Sequence, residues 1–285
     1  MAYGSFRELL AAAAETGSLS SAALAREAEN SNQSAEQVLA HMDESLGVME
    51  AAIARGLAGE AHSRSGLVGG DAKLVAENAP ALSGDGLSTA IARALAVAEV
   101  NASMGRIVAA PTGGASGVLP AVLTTIAERV GASREQKVLA LVTAAGIGAI
   151  IAARATLSGA AGGCQAEIGS GAAMAAAAAV ELAGGTPEQS GHAAAFAMQG
   201  LLGLACDPVG GLVEIPCVAR NATGTAVALA GVEMALSGAT FPIPLDEVIT
   251  AMGLVGRSMP PSLRETARGG LAITPTAQAL KEQLP

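Results

Sequence analysis

The sequence predicts an all-α fold, and three observations carry the prediction. Helix-start signatures recur along the chain, alternating β-branched runs are scarce, and the large side chains that stacked sheets need are nearly absent. Sixty-seven alanines and 36 glycines stand against one Tyr, three Phe and no Trp in 285 residues. Small residues let helix axes approach closely. The expected architecture is therefore a compact Ala/Gly-rich helical bundle with buried central helices and Gly-rich active-site loops.

The elements follow in order. Residues 1–58 are the more polar and read as an N-terminal helical arm, part of the same domain or loosely attached, while residues 59–285 read as the domain that carries the chemistry. Within the arm, Ser34-Ala-Glu-Gln37 is a capping box that opens a helix toward about residue 55. The same pattern in Ser133-Arg-Glu-Gln136 opens a helix toward about residue 153. Thr186-Pro-Glu-Gln189 opens a third, with Pro187 at the first helical position, where its missing N–H costs nothing. Alanine-rich stretches at 171–183 and 226–236 have high helix propensity. Four Gly-rich segments interrupt these helices, at 63–73, 110–117, 158–171 and 205–221. Function should sit there, because a backbone without Cβ can bend sharply and approach a ligand.

Composition removes several classes. At 51% hydrophobic and 14% charged the chain is too apolar for disorder and must bury a core. A net charge of −9 with 1% aromatic residues lacks both the basic field and the stacking surfaces of nucleic-acid binding. The same charge disfavours an acidic partner. Residues 107–127 form an uncharged run long enough to span a membrane, yet Pro111, Gly113, Gly114, Gly117 and Pro120 fall within it. No membrane association is expected, and the N-terminus lacks the basic and apolar regions of a signal peptide, so the expected location is cytoplasmic.

Three cysteines, an odd number, argue against a disulfide framework in a reducing compartment. Cys164, Cys206 and Cys217 each lie in a Gly- or Pro-containing turn, which suits soft thiolate ligands converging from separate segments. Their spacings of 42 and 11 residues exclude CxxC patterns. Free cysteine is also a small buried hydrophobe, so spacing alone leaves both readings open. As ligands, the three would suit an iron-sulfur cubane with one iron open, or a closed zinc site completed by His192. Thr112, Gly113 and Ser116 lie where a glycine turn enters a helix, so hydroxyls and backbone amides could dock a carboxylate, or the turn could simply let two helices cross. Arg220-Asn221, just after Cys217, could grip a carboxylate bidentately or be an ordinary helix start. His41, His62 and His192 are scattered, and of these His62 borders the 63–73 loop. None of the three lysines has a setting suited to a pyridoxal phosphate Schiff base.

Several long phrases carry a resemblance. Ser65-Gly-Leu-Val-Gly-Gly-Asp-Ala72, Gly105-Arg-Ile-Val-Ala-Ala-Pro-Thr-Gly-Gly-Ala-Ser-Gly-Val-Leu-Pro-Ala121, Gly159-Ala-Ala-Gly-Gly-Cys-Gln-Ala-Glu-Ile-Gly169 and Asp207-Pro-Val-Gly-Gly-Leu-Val-Glu-Ile-Pro-Cys-Val-Ala-Arg-Asn221 resemble the α chain of the iron-sulfur L-serine dehydratases. Gly269-Gly-Leu-Ala-Ile-Thr-Pro-Thr276 is similar to that family's C-terminal signature. The likeness implies a 4Fe-4S cluster on Cys164, Cys206 and Cys217 and deamination of L-serine to pyruvate and ammonia without pyridoxal phosphate. Thr112, Gly113, Ser116 and Arg220 become the candidates for substrate positioning. No general base is identifiable. Single-chain members are similar to a fusion of a β region with this α region, and some carry a further C-terminal cysteine. Neither feature is present here, which implies a separate β chain and an oligomeric enzyme. Two rivals remain, an L-cysteine desulfidase on the same scaffold and a non-catalytic helical interaction subunit.

Overall fold

The computed structural model describes residues 3–78 and 84–284, so Met1, Ala2 and Pro285 of the expected arm and C-terminus lie outside the described residues. Thirteen α-helices make up the described fold, and the extended pairing among them amounts to two isolated bridges, His62 with Gly69 and Cys206 with Arg264. The N-terminal third supplies α1 (Phe6–Thr16), α2 (Leu19–Ser31), α3 (Ala35–Leu57), α4 (Asp71–Asn78) and α5 (Gly84–Ala102). The middle supplies α6 (Val118–Val130), α7 (Arg134–Arg154), the single turn α8 (Gly159–Gly162), α9 (Ser170–Leu182) and α10 (Pro187–Gln199). The remainder supplies α11 (Cys217–Leu236), α12 (Leu245–Ser258) and α13 (Pro275–Glu282).

All three expected capping boxes form. The Ser34, Ser133 and Thr186 hydroxyls accept from the backbone of Gln37, Gln136 and Gln189, whose side chains accept in return from the cap residues. Each box satisfies two backbone donors that a helix start otherwise leaves unpaired.

The centre of the molecule is α9. Every residue from Ser170 to Val180 is buried, and α6, α7, α10 and α11 pack around it. Seven of these eleven residues are alanine, so little area is buried per side chain and cohesion comes from close approach of whole helices. The same closeness recurs where α3 crosses α5: a Cβ on Gly56 would overlap the Ala96 backbone. Among the described residues α7 alone is long and apolar enough to cross a membrane, and more than half of its apolar stretch is buried.

The arm packs into the shared core, with Phe6, Leu9, Leu19 and Leu46 buried in the cluster that includes α7, α9 and α10. Asp246, in the first turn of α12, accepts from the Phe6 and Arg7 amides at 2.8 and 3.2 Å and so fixes the start of α1.

Candidate active site

Three bent segments bring the cysteines to one region. Cys164 follows α8 and leads into a five-residue π-helical turn, Gln165–Gly169, that runs straight into α9. Single π turns inside longer helices change the phase of the side chains and are common at functional sites. Buried Gln165 pins this one: its amide donates to the carbonyls of Gly162 (2.8 Å) and Met252 (3.1 Å) and accepts from Gly203 (2.9 Å). Cys206 is held by backbone bonds on both sides, donating to Leu263 (2.8 Å) and accepting from Glu265 (2.7 Å). Cys217 is the first residue of α11, after a cis Ile215–Pro216 bond. All three thiols are free and buried.

Cys164 Sγ, Cys206 Sγ and a carboxylate oxygen of Glu167 lie within 4.8 Å of one another. Glu167 Oε1 accepts from the Thr112 hydroxyl at 2.7 Å, and Oε2 lies 3.9 Å from Cys206 Sγ. Gly159 borders this group. A Cβ there would run into Glu167 Oε2 and sit 3.2 Å from Cys206 Sγ, so the missing side chain leaves a cradle between carboxylate and thiol. Val213, exposed, approaches from the other side beside Gly114.

The electrostatics are uneven. A hydrogen bond from Cys206 lowers the Cys164 pKa against burial, with Arg220 adding to the effect, and the same bond raises Cys206 far above the ordinary thiol range. Burial, followed by the charges of Cys164 and Glu167, pushes the Cys217 thiol up to about 12. Ionisation is therefore favoured at Cys164, beside Arg220, over the other two thiols. Burial also raises the Glu167 carboxyl, opposed by the Thr112 hydrogen bond.

Of the residues singled out from sequence, Thr112 reaches the group directly through Glu167. Ser116 does not, because it is buried and its hydroxyl donates to the Gly113 carbonyl at 2.8 Å, closing the turn. Gly113 begins that turn. Arg220 is committed inside the fold: it donates to the Ala205 carbonyl (2.7 Å) and faces Asp207 Oδ1 at 2.8 Å, an ion pair off the ideal hydrogen-bond line. It neighbours the thiols, which places it behind the site as a counter-charge. His62 is exposed at the rim of the 63–73 loop. His192, the fourth donor of a zinc reading, lies in a separate cleft with Arg7, Arg154 and Phe241, and its Nδ1 accepts from the Phe241 amide.

Sequence reasoning missed two supporting residues, Glu167 and Asp207, and the role of a third, Asn221. Glu167 has one local signal, its position three residues after Cys164, but the π turn that aims it is not visible in the residues. Asn221, buried one turn into α11, accepts from the Gly117 amide and donates to the Gly114 and Cys217 carbonyls, tying the 110–117 segment to the third cysteine. Asp207 takes the Leu271 amide at 2.7 Å and so anchors the 269–276 segment beside Cys206.

Comparison with known proteins identifies the family. A family model described as serine dehydratase alpha chain matches residues 14–272, a span that contains every residue of the site. The chain is 49% identical over 269 residues to a probable L-serine dehydratase, alpha chain, of Bacillus subtilis, covering 93% of this chain and 89% of that one. It is 44% identical to the L-serine dehydratase, alpha chain, of Peptoniphilus asaccharolyticus, over 90% of this chain and 89% of that one. An L-serine dehydratase of Streptomyces coelicolor matches at 41% identity over 93% of this chain but 60% of its own length. By the extent of the family match and the identity to full-length relatives, the chain belongs to the serine dehydratase alpha chain family.

Proposed function

We propose that this chain is the cluster-bearing subunit of an L-serine dehydratase, which removes water from L-serine and releases pyruvate and ammonia. The observation that carries the reading is the approach of Cys164 and Cys206 to one another from separate turns, with Cys217 on a third turn near enough to feel the charge of Cys164, in a chain that belongs to this family. A 4Fe-4S cluster fits the residues. Three buried thiols, a neighbouring carboxylate, the cradle left by Gly159 and the Arg220 counter-charge form a sulfur-rich donor set suited to iron. When bound through three cysteines, the cluster supplies an iron with an open position, a Lewis acid that makes hydroxide a viable leaving group.

The protein's part is positioning and charge. Arg220 stabilises the Cys164 thiolate, and Asp207 holds Arg220 in place while pinning the 269–276 segment. Thr112 fixes the Glu167 carboxylate, and Asn221 fixes the turn carrying Thr112. Substrate enters beside Thr112, Gly113 and exposed Val213. Loss of the α-proton and the β-hydroxyl gives water and aminoacrylate, which tautomerises and hydrolyses to pyruvate and ammonium. The base that takes the proton is assigned to a β chain. We place the enzyme in the cytoplasm, where thiols stay reduced.

The test is anaerobic purification followed by turnover. Iron and acid-labile sulfide should accompany the wild-type chain, and Cys164→Ser, Cys206→Ser and Cys217→Ser should each abolish iron binding and activity, since a cluster one protein ligand short does not tolerate another loss. Full iron in any one variant would remove that residue from the ligand set. With the β chain present, faster turnover of L-cysteine than of L-serine would point instead to desulfidation.

A further inference from the structure

We infer that Glu167 is a fourth protein ligand of the cluster: with no substrate present, its Oε2 binds the iron that no cysteine holds, and it gives up that position when L-serine enters. The inference rests on the cluster reading above and goes beyond it, because it names the occupant of the open position. Four observations converge on this carboxylate. The chain has only three cysteines, so a fourth donor from this chain must be an oxygen, a nitrogen or a methionine thioether. Among the described residues, Glu167 is the non-sulfur donor that the fold brings within 4.8 Å of two of the thiols.

Its two oxygens are also differentiated. Thr112 holds Oε1 at 2.7 Å, which fixes the rotation of the carboxylate, while Oε2 is left facing the Cys206 sulfur and the space above Gly159. Among the described residues no lysine, arginine or histidine forms an ion pair with Glu167, and the nearby Arg220 is spent on Asp207 and Ala205. Glu167, partly buried, thus has no protein cation paired with it, and a bound metal would stabilise its charged form. The other candidates are engaged or remote: Asp207 is taken by Arg220 and the Leu271 amide, Glu265 is exposed, and His192 sits in another cleft.

The exchange is balanced without redox change. The iron–carboxylate bond breaks with its electron pair on Glu167, a lone pair of the substrate hydroxyl forms the new bond, and the released carboxylate keeps the Thr112 hydrogen bond. Glu167 thereby covers a reactive iron between turnovers and lets it go without a conformational change of the backbone.

The experiment uses the α·β holoenzyme prepared with 13C-labelled glutamate, its cluster chemically reduced and examined by electron–nuclear double resonance. The expected result is a 13C coupling in the substrate-free wild type that disappears on addition of L-serine and in Glu167→Gln, and survives in Glu265→Gln. An iron-loaded wild type without the coupling overturns the inference, as does a coupling that persists in Glu167→Gln. The wild-type measurement stands even if a variant fails to fold. A second readout is Mössbauer spectroscopy: in Glu167→Cys the unique iron should become indistinguishable from the three thiolate-bound irons, and in Glu167→Ala it should be lost to air about tenfold faster than in wild type. Equal loss rates would count against ligation. A wild type lacking iron and sulfide altogether would remove the cluster reading itself, an outcome distinct from a loaded cluster with no carboxylate signal.

Discussion

Asn221 spends a single amide on three backbone groups, the Gly117 N–H at 2.9 Å and the Gly114 and Cys217 carbonyls at 2.8 and 2.9 Å. Truncation to alanine would leave at least one buried donor and one buried acceptor unpaired, each worth about 1–3 kcal/mol. We predict that Asn221→Ala lowers the unfolding free energy of the metal-free chain by about 2–4 kcal/mol by this count. Chemical denaturation would measure it, with Thr223→Ala, exposed two residues along the same helix, as the control expected to change stability by less than about 0.5 kcal/mol. Loss of no more than the control's value would mean that the 110–117 turn holds itself.

At the scale of elements, α5 reaches the site through Glu99. This carboxylate is fully buried, yet it accepts from the Gly70 and Ala72 amides at 3.1 and 3.0 Å, capping α4 and closing the 63–70 loop. The loop is tied in turn to the third cysteine's segment, because Ser65 donates to buried Glu214, three residues before Cys217. Burial raises the Glu99 pKa, against the two amide bonds that lower it. The sign then follows: as pH climbs from the ordinary carboxylate value of 4.5 toward the raised folded value, the unfolded chain loses its proton first, so stability falls across that window and is flat above it. Denaturation at a series of pH values should show this slope in wild type and a shallower one in Glu99→Gln. An unchanged slope would assign it to other groups.

Legibility in the sequence also divides by element. The three capping boxes were readable because each is written within four residues, and the buried α9 was readable because its composition admits nothing but close packing. The aim of Glu167 was not, since it depends on a π turn stabilised by Gln165 through contacts with α12 and the 200–204 loop. Arg220 and Ser116 were readable as polar residues near glycine turns, but their partners, Asp207 and the Gly113 carbonyl, come from the fold. The cysteines were locatable as turn residues, while their convergence is a long-range property.

For the whole molecule, the buried core and the site compete for the same helices. The π turn carrying Glu167 is the N-terminal extension of the central α9, and Cys217 opens α11, which packs against it, so one rigid centre fixes two of the site's three segments. That rigidity suits the proposed cluster, but among the described residues it brings no evident proton acceptor toward the substrate's α-carbon. Relatives that match this chain along most of their length carry the name alpha chain, whereas the Streptomyces enzyme has a further two-fifths outside the match. On the proposed reading, a base and part of the substrate pocket fall to a second polypeptide, whose contact surface should include the 63–73 loop and the opening beside Thr112. Positioning and general-base catalysis each contribute orders of magnitude, so the α chain reconstituted with iron and sulfide alone should fall short of the α·β complex in kcat/KM for L-serine by at least about 100-fold. Titration with β chain should restore turnover while leaving iron content unchanged. Full activity in the isolated α chain, with KM unaltered by β chain, would mean that the pocket and its base are complete within these 285 residues.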